Sequence, residues 1–183
     1  YRYNIRGWLT TINNSQLAVN ATNDDTNDLF GMELGYNNPL GGLGNSALFN
    51  GNISAMKWSV NQGLSTPVFG TPTERAYNFT YDPLNRLQAA SHLDNIGIWA
   101  ASTSFSEDNL TYDYNGNIRS LNRKAKGGSV MDVLDYNYGS GNGFSNQLLK
   151  VTDTGDKLNG FVDGANPDND YTYDANGNML IDK

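Results

Sequence analysis

One seven-residue phrase recurs along this chain, and it constrains the fold more than any single residue. It reads Tyr-Asp-x-x-(Gly or Asn)-(Asn or Arg)-aliphatic at Tyr81-Asp82-Pro83-Leu84-Asn85-Arg86-Leu87, Tyr112-Asp113-Tyr114-Asn115-Gly116-Asn117-Ile118 and Tyr173-Asp174-Ala175-Asn176-Gly177-Asn178-Met179. Copies of one phrase must fold alike and then pair or stack, so the repeat governs the meaning of each residue inside it. Tyr112 and Tyr114, or Tyr171 and Tyr173, stand two apart and share one face of a strand, where rings form cross-strand pairs. The Asp ends the strand, with a carboxylate placed to accept from backbone N–H groups two residues on, and Asn-Gly supplies the positive φ angles of a tight hairpin turn. The aliphatic residue starts the return. Each copy therefore predicts a hairpin tip.

Weaker copies extend the pattern. Tyr3-Asn4-Ile5-Arg6-Gly7-Trp8-Leu9 is a degenerate fourth, and Asn50-Gly51-Asn52-Ile53 keeps the turn half. Tyr136-Asn137-Tyr138 keeps the strand half, with its return expected at Gln147-Leu148-Leu149-Lys150-Val151. Tyr81 and Tyr112 lie 31 residues apart and Tyr112 and Tyr173 lie 61 apart, so a degraded copy around Tyr136 accounts for the doubling. Unequal spacing argues for strands of shared grammar joined by loops of varied length rather than for identical rungs.

The composition agrees: 20 Gly and 11 Tyr stand beside many Asn and Asp in 183 residues. Turn formers and strand formers in these proportions predict an all-β chain of short antiparallel strands. We read 1–183 as a single module, with degenerate repeats and long loops over 1–75 and clearer repeats over 76–183. Helix propensity in "NRLQAASHLDN", residues 85–95, yields to its place after a repeat turn, which predicts a returning strand. Residues 20–27, 37–48, 139–143 and 163–170 read as loops.

A net charge of −7 with only 12 Lys and Arg leaves no basic surface for phosphates, which argues against a nucleic-acid partner. No run approaches a membrane span, and the N-terminus lacks the apolar core of a signal peptide. Cysteine is absent, so packing and strand pairing must hold the fold.

The segments "FTYDPLNRL", "LTYDYNGNIRSL" and "YTYDANGNML" resemble the YD repeats of bacterial Rhs proteins, related to those of toxin-complex shells and teneurins. The resemblance extends at falling strength through "YRYNIRGWLTTIN" and "NGNISAMKW". It implies a curved, extended sheet of antiparallel hairpins, here an arc of a hollow β-shell belonging to a longer secreted or cell-surface protein. The partners it implies are the remainder of the parent chain and a passenger polypeptide or C-terminal toxin. The Rhs core signature and self-cleaving site are missing. The motif residues Tyr81, Asp82, Arg86, Tyr112, Asp113, Gly116, Asn117, Tyr173, Asp174, Gly177 and Asn178 are accordingly expected to be structural. The exposed edges of an excised arc predict either edge-paired dimers or edges covered by the long N-terminal loops.

Chemical motifs are thin. Asp113-x-Asn115-x-Asn117 and Asp174-x-Asn176-x-Asn178 open like an EF-hand loop, but Ile118 or Met179 stands at the sixth position, where Gly is required. The cluster Asp163 to Asp170 is a better fit to a stray cation, although a solvated loop is the simpler reading. Ser54-x-x-Lys57 follows a turn instead of opening a helix, and neither companion motif of the penicillin-binding enzymes is present. His92 is the only histidine. Sixteen Asp and three Glu make some carboxylate pair inevitable, which removes its value as evidence for glycoside hydrolysis. No catalytic residue, metal or cofactor is predicted. The alternative to a scaffold is a carbohydrate-binding segment using Tyr and Trp rings beside Asn and Asp, with Trp8, Trp58 and Trp99 as contacts.

Overall fold

The computed structural model describes residues 1–21, 23–24, 27–61, 74–139, 145–164 and 167–183. The chain is all-β and antiparallel throughout, with one 3-10 turn at Lys126–Gly128 among the described residues. It divides into two compact units, Tyr1–Ser102 and Thr103–Lys183.

In the first unit, β1 (Arg2–Tyr3), β2 (Leu9–Ile12), β3 (Phe30–Gly35), β4 (Ala55–Val60), β5 (Arg75–Tyr81) and β6 (Leu87–Asn95) follow one another as a meander. β7 (Trp99–Ala101) folds back on the end of β6. Residues 85–95, expected as a returning strand, supply β6. Side-chain alternation gives the meander two different faces. Register places Trp58, Tyr77, Phe79 and His92 on one of them. Trp58 stacks on Tyr77 at 5.5 Å, and Tyr77 meets the His92 ring edge-on at 5.3 Å.

The opposite face carries small side chains, including Gly31, Gly35, Ala55 and Ala76. The reason is that the long loops of the N-terminal half fold back over it. Leu43, Ala55, Ala76 and Leu93 form the buried cluster, with Leu40 and Trp99 packed against it. A Cβ on Gly31 would lie 1.8 Å from the Asn14 carbonyl oxygen. The loops between β2 and β3 and between β3 and β4 thus cover a face of the sheet. The described part of the 20–27 loop and the 37–48 loop have no strand, as expected.

The second unit contains β8 (Glu107–Tyr112), β9 (Ile118–Lys124), β10 (Val130–Asn137) and β11 (Lys150–Asp153), again a meander, and a separate hairpin of β12 (Tyr171–Tyr173) and β13 (Met179–Asp182). The degraded copy around Tyr136 supplies the end of β10, and its return begins at Leu149, whose N–H donates to the Asn137 carbonyl at 2.7 Å. Most of the expected 139–143 loop and part of the 163–170 loop lie outside the described residues. One buried carboxylate here is paired across strands. Asp132, fully buried, accepts from Arg123 Nε at 2.8 Å directly opposite on β9, and from the Phe161 N–H at 2.6 Å.

Candidate functional site

The repeated phrase builds one turn, four times over. Asp82 Oδ1 accepts the N–H groups of Leu84 and Arg86, each at 2.9 Å. Asp113 does the same for Asn115 and Asn117 at 2.8 and 2.9 Å, and Asp174 for Asn176 and Asn178 at 2.9 Å each. In the degenerate copy, Asn4 Oδ1 accepts from the N–H groups of Arg6 and Trp8, both at 3.0 Å, so the neutral amide substitutes for the carboxylate. Oδ2 of each Asp is used as well, by Arg86 Nε at 2.6 Å, Asn117 Nδ2 at 2.9 Å and Asn178 Nδ2 at 2.8 Å. This last bond explains why Arg and Asn alternate at that position: both present an N–H at the same reach.

The turn type differs from the two-residue turn expected of Asn-Gly. A single residue in each tip has positive φ (Gly7, Asn85, Gly116 and Gly177), and neither Asn115 nor Asn176 does. Asn85 N–H donates to the Asp82 carbonyl and Asp82 N–H to the Arg86 carbonyl, both at 2.9 Å, and the other tips repeat the pattern. This is a three-residue loop, a type I turn closed by a left-handed residue. The Asp-centred hydrogen bonds select it, because they hold residues two and four positions on against the same oxygen.

These bonds also set the charge state. At Asp82 and Asp113 desolvation works against the carboxylate, but the hydrogen bonds from Arg86 or Asn117 outweigh it and hold the pKa below the ordinary aspartate value. At Asp174 the Asn178 side chain is the largest cause of the same lowering. A carboxylate saturated by its own turn has little capacity left for a cation. Among the described residues no group of three or more acidic, histidine or cysteine side chains converges as a metal site.

Two motif tyrosines reach a neighbouring segment. Tyr81 donates its hydroxyl to the Ile53 carbonyl at 2.8 Å, and Tyr173 to the Leu148 carbonyl at 2.9 Å. Asn50 Nδ2 reaches Asn85 Oδ1 at 2.5 Å, and Asn117 Nδ2 reaches Asn146 Oδ1 at 3.1 Å. Between the 50–52 and 82–85 tips of the first unit lies a cleft of about 390 Å³, lined by Leu48, Asn50, Asn52, Asn78, Phe79 and Asn85 among others.

The three tryptophans lie elsewhere in the unit. Trp8 sits 5.2 Å from Tyr36, under the Arg6 guanidinium at 5.1 Å and against Gly51. Trp58 is stacked on Tyr77, and Trp99 packs against the core and Gly42 with Lys57 Nζ over its ring at 5.2 Å. His92 is buried beneath Trp58 and Tyr77, and burial pushes its pKa down, against the pull of Asp94 at 3.8 Å. Ser54 donates to the Tyr36 carbonyl and is held by Asn45 Nδ2, while Lys57 Nζ donates to the Gly41 carbonyl. The first two bonds close the 36–54 loop on itself, and the third ties it to β4. A further polar cluster escaped the sequence reading: Ser15 Oγ lies 3.0 Å from Glu33 Oε1 and 2.6 Å from Glu74 Oε1, joined by Gln16 and Asn95 on Glu74 Oε2. Its members are spread over 80 residues, and no local spacing announces them.

Comparison with protein families, with characterised proteins and with solved structures finds no match to this chain.

Proposed function

We propose that this chain is a non-catalytic structural repeat segment of a secreted or cell-surface protein of the Rhs/YD-repeat kind, one that contributes hairpins to the wall of a β-shell. The observation that supports it is the fate of the motif side chains. In each clear tip the Asp and the Arg86, Asn117 or Asn178 four residues on are bonded to each other within the turn, and the tyrosines of the first and last clear tips bind a neighbouring segment. Residues spent on turn geometry and on tip-to-tip contacts do the work of a scaffold. The aromatic rings offered by Trp8, Trp58 and Trp99 are engaged with other side chains, which favours packing over sugar stacking at those three positions.

Cryo-electron microscopy of the protein purified from its native source tests the reading. A wall of β-strands enclosing a volume, with these hairpins in it, is the expected result. A solid particle without an enclosed space would sink the proposal, as would failure of an antibody against this segment to label intact cells or culture medium.

A further inference from the structure

Glu33 and Glu74 leave a charge that the scaffold reading does not use. Both carboxylates close on Ser15, whose Oγ lies 3.0 Å from Glu33 Oε1 and 2.6 Å from Glu74 Oε1. A serine hydroxyl has one proton and donates to only one of them. The Ser15 N–H adds a bond of 3.3 Å to the same Glu33 oxygen, and Glu74 Oε2 accepts from Asn95 Nδ2 at 3.1 Å and Gln16 Nε2 at 3.4 Å. These donors are all neutral. No basic side chain forms an ion pair with either carboxylate among the described residues, and those include every Lys, Arg and His of the chain. Lys57 stands opposite Glu33 in the register, but its Nζ is committed to the Gly41 carbonyl and the Trp99 ring. Glu74 is only 6% exposed, and a buried carboxylate beside a second one calls for a positive charge.

A separate observation falls on the same spot. Ser59 is 1% exposed, and its Oγ has no hydrogen-bond partner among the described residues. Register pairs Ser59 with Gly31, two residues before Glu33 on β3, and the β4–β5 register carried one residue past Trp58 and Arg75 sets it opposite Glu74. Ser59 therefore lies between the two glutamates and rises from the same face of the sheet as they do. Over Gly31 the space is taken by the Asn14 carbonyl, which brings the adjoining Ser15 down onto this point from the loop between β2 and β3. One hydroxyl from the loop and one from the sheet thus meet a pair of carboxylates.

We propose that this cluster binds a hard divalent cation of the calcium type, held by the carboxylates of Glu33 and Glu74 and the hydroxyl oxygens of Ser15 and Ser59. Calcium accepts carboxylate and neutral oxygen ligands in flexible geometry and keeps waters in its shell, so two carboxylates suffice. Glu33 is half-buried and Gln16 exposed, so the ion enters from solvent past these two residues. Once bound, it fastens the loop between β2 and β3 to β3 and to the residue that leads into β5. The site goes beyond the scaffold reading, and either one survives the failure of the other.

The test is calorimetric titration of the whole chain, stripped with EDTA and dialysed, together with thermal melts. The probes are calcium chloride, magnesium chloride and sodium chloride at matched ionic strength. One calcium per chain should bind with Kd on the order of 10⁻⁴ to 10⁻³ M and raise the melting temperature saturably, while magnesium, which demands a stricter octahedron, should bind more weakly. Glu74→Gln keeps the shape and should weaken calcium binding by more than about tenfold, a loss that even groups outside the ligand shell can produce. The metal-free variant should melt no lower than metal-free wild type, because the charge it removes is unpaired. Ser59→Ala breaks no internal bond, so it should leave the metal-free melting temperature unchanged and still weaken calcium binding, by a smaller factor. Absence of any calcium heat or melting shift would overturn the proposal, as would a shift that sodium chloride reproduces. Calcium binding unchanged in folded Glu74→Gln and Ser59→Ala would assign the ion to surface carboxylates and overturn it equally.

Discussion

At the scale of single residues, the Asp of each tip acts as an acceptor of fixed geometry, and Asn4 shows that the shape of the acceptor counts as well as its charge. Asp113→Ala removes three hydrogen bonds and should lower the melting temperature by several degrees. Asp113→Asn keeps an Oδ1 for the two backbone donors and should lose less; equal losses for the two variants in a thermal melt would count against this account. His92 sets a different sensitivity. Its pKa is lowered in the fold by burial, so the unfolded chain binds the proton more readily. Stability is then fully present above the ordinary histidine value of about 6.5 and declines as pH falls below it. His92→Phe should flatten the melting temperature between about pH 7 and pH 5, and a slope unchanged from wild type would show that other groups carry it.

Elements in this protein are decided as much by what lies over a strand as by the strand itself. β3 is a poor strand by composition, with Gly at both Gly31 and Gly35, yet it lies inside the meander between β2 and β4. The glycines are required by contact: the Asn14 carbonyl and the Leu40 side chain occupy the space where side chains would stand. Gly31→Ala should therefore destabilise by about 1–3 kcal/mol, as overpacking does, whereas Gly41→Ala, with open space around it, should stay within about 0.5 kcal/mol in chemical denaturation. The strands following each Tyr-Asp tip were legible beforehand because the turn and the aliphatic return are local signals. The covering role of the 36–54 loop was not, since Leu40 and Leu43 look like isolated apolar residues in a Gly-rich stretch until the sheet beneath them is known.

On the scale of the whole molecule the question is how the sheet edges are closed. Beside β11 carboxylates occupy the place of another strand: Val151 N–H donates to Asp170 Oδ2 at 3.0 Å and Asp153 N–H to Asp163 Oδ2 at 3.2 Å. In the first unit, β1 is only two residues long, and a short edge strand offers little to pair with. Replacing both Asp163 and Asp170 with Ala should expose the β11 ladder and produce concentration-dependent self-association in sedimentation velocity; a clean monomer at every concentration would show that the edge is protected by something else. Acidic residues in the 163–170 segment had suggested a solvated loop or a stray cation. Asp170 instead is nearly buried and bonded to β11, because that loop returns along the edge of the sheet.

The sequence by itself determined the class of fold, the antiparallel pairing and the position of each clear hairpin tip, because these depend on contacts between residues at most a few positions apart. Alternating side chains, an Asp acceptor and a residue tolerant of positive φ are enough to specify a strand, its end and its return. Tertiary structure alone decided which face is covered, which carboxylates close an edge, and that Asn52 and Asn78, 26 positions apart in the chain, line one cleft. Those outcomes depend on where loops of unequal length come to rest, and a loop's resting place is set by the surface it finds to bury, which no local pattern encodes.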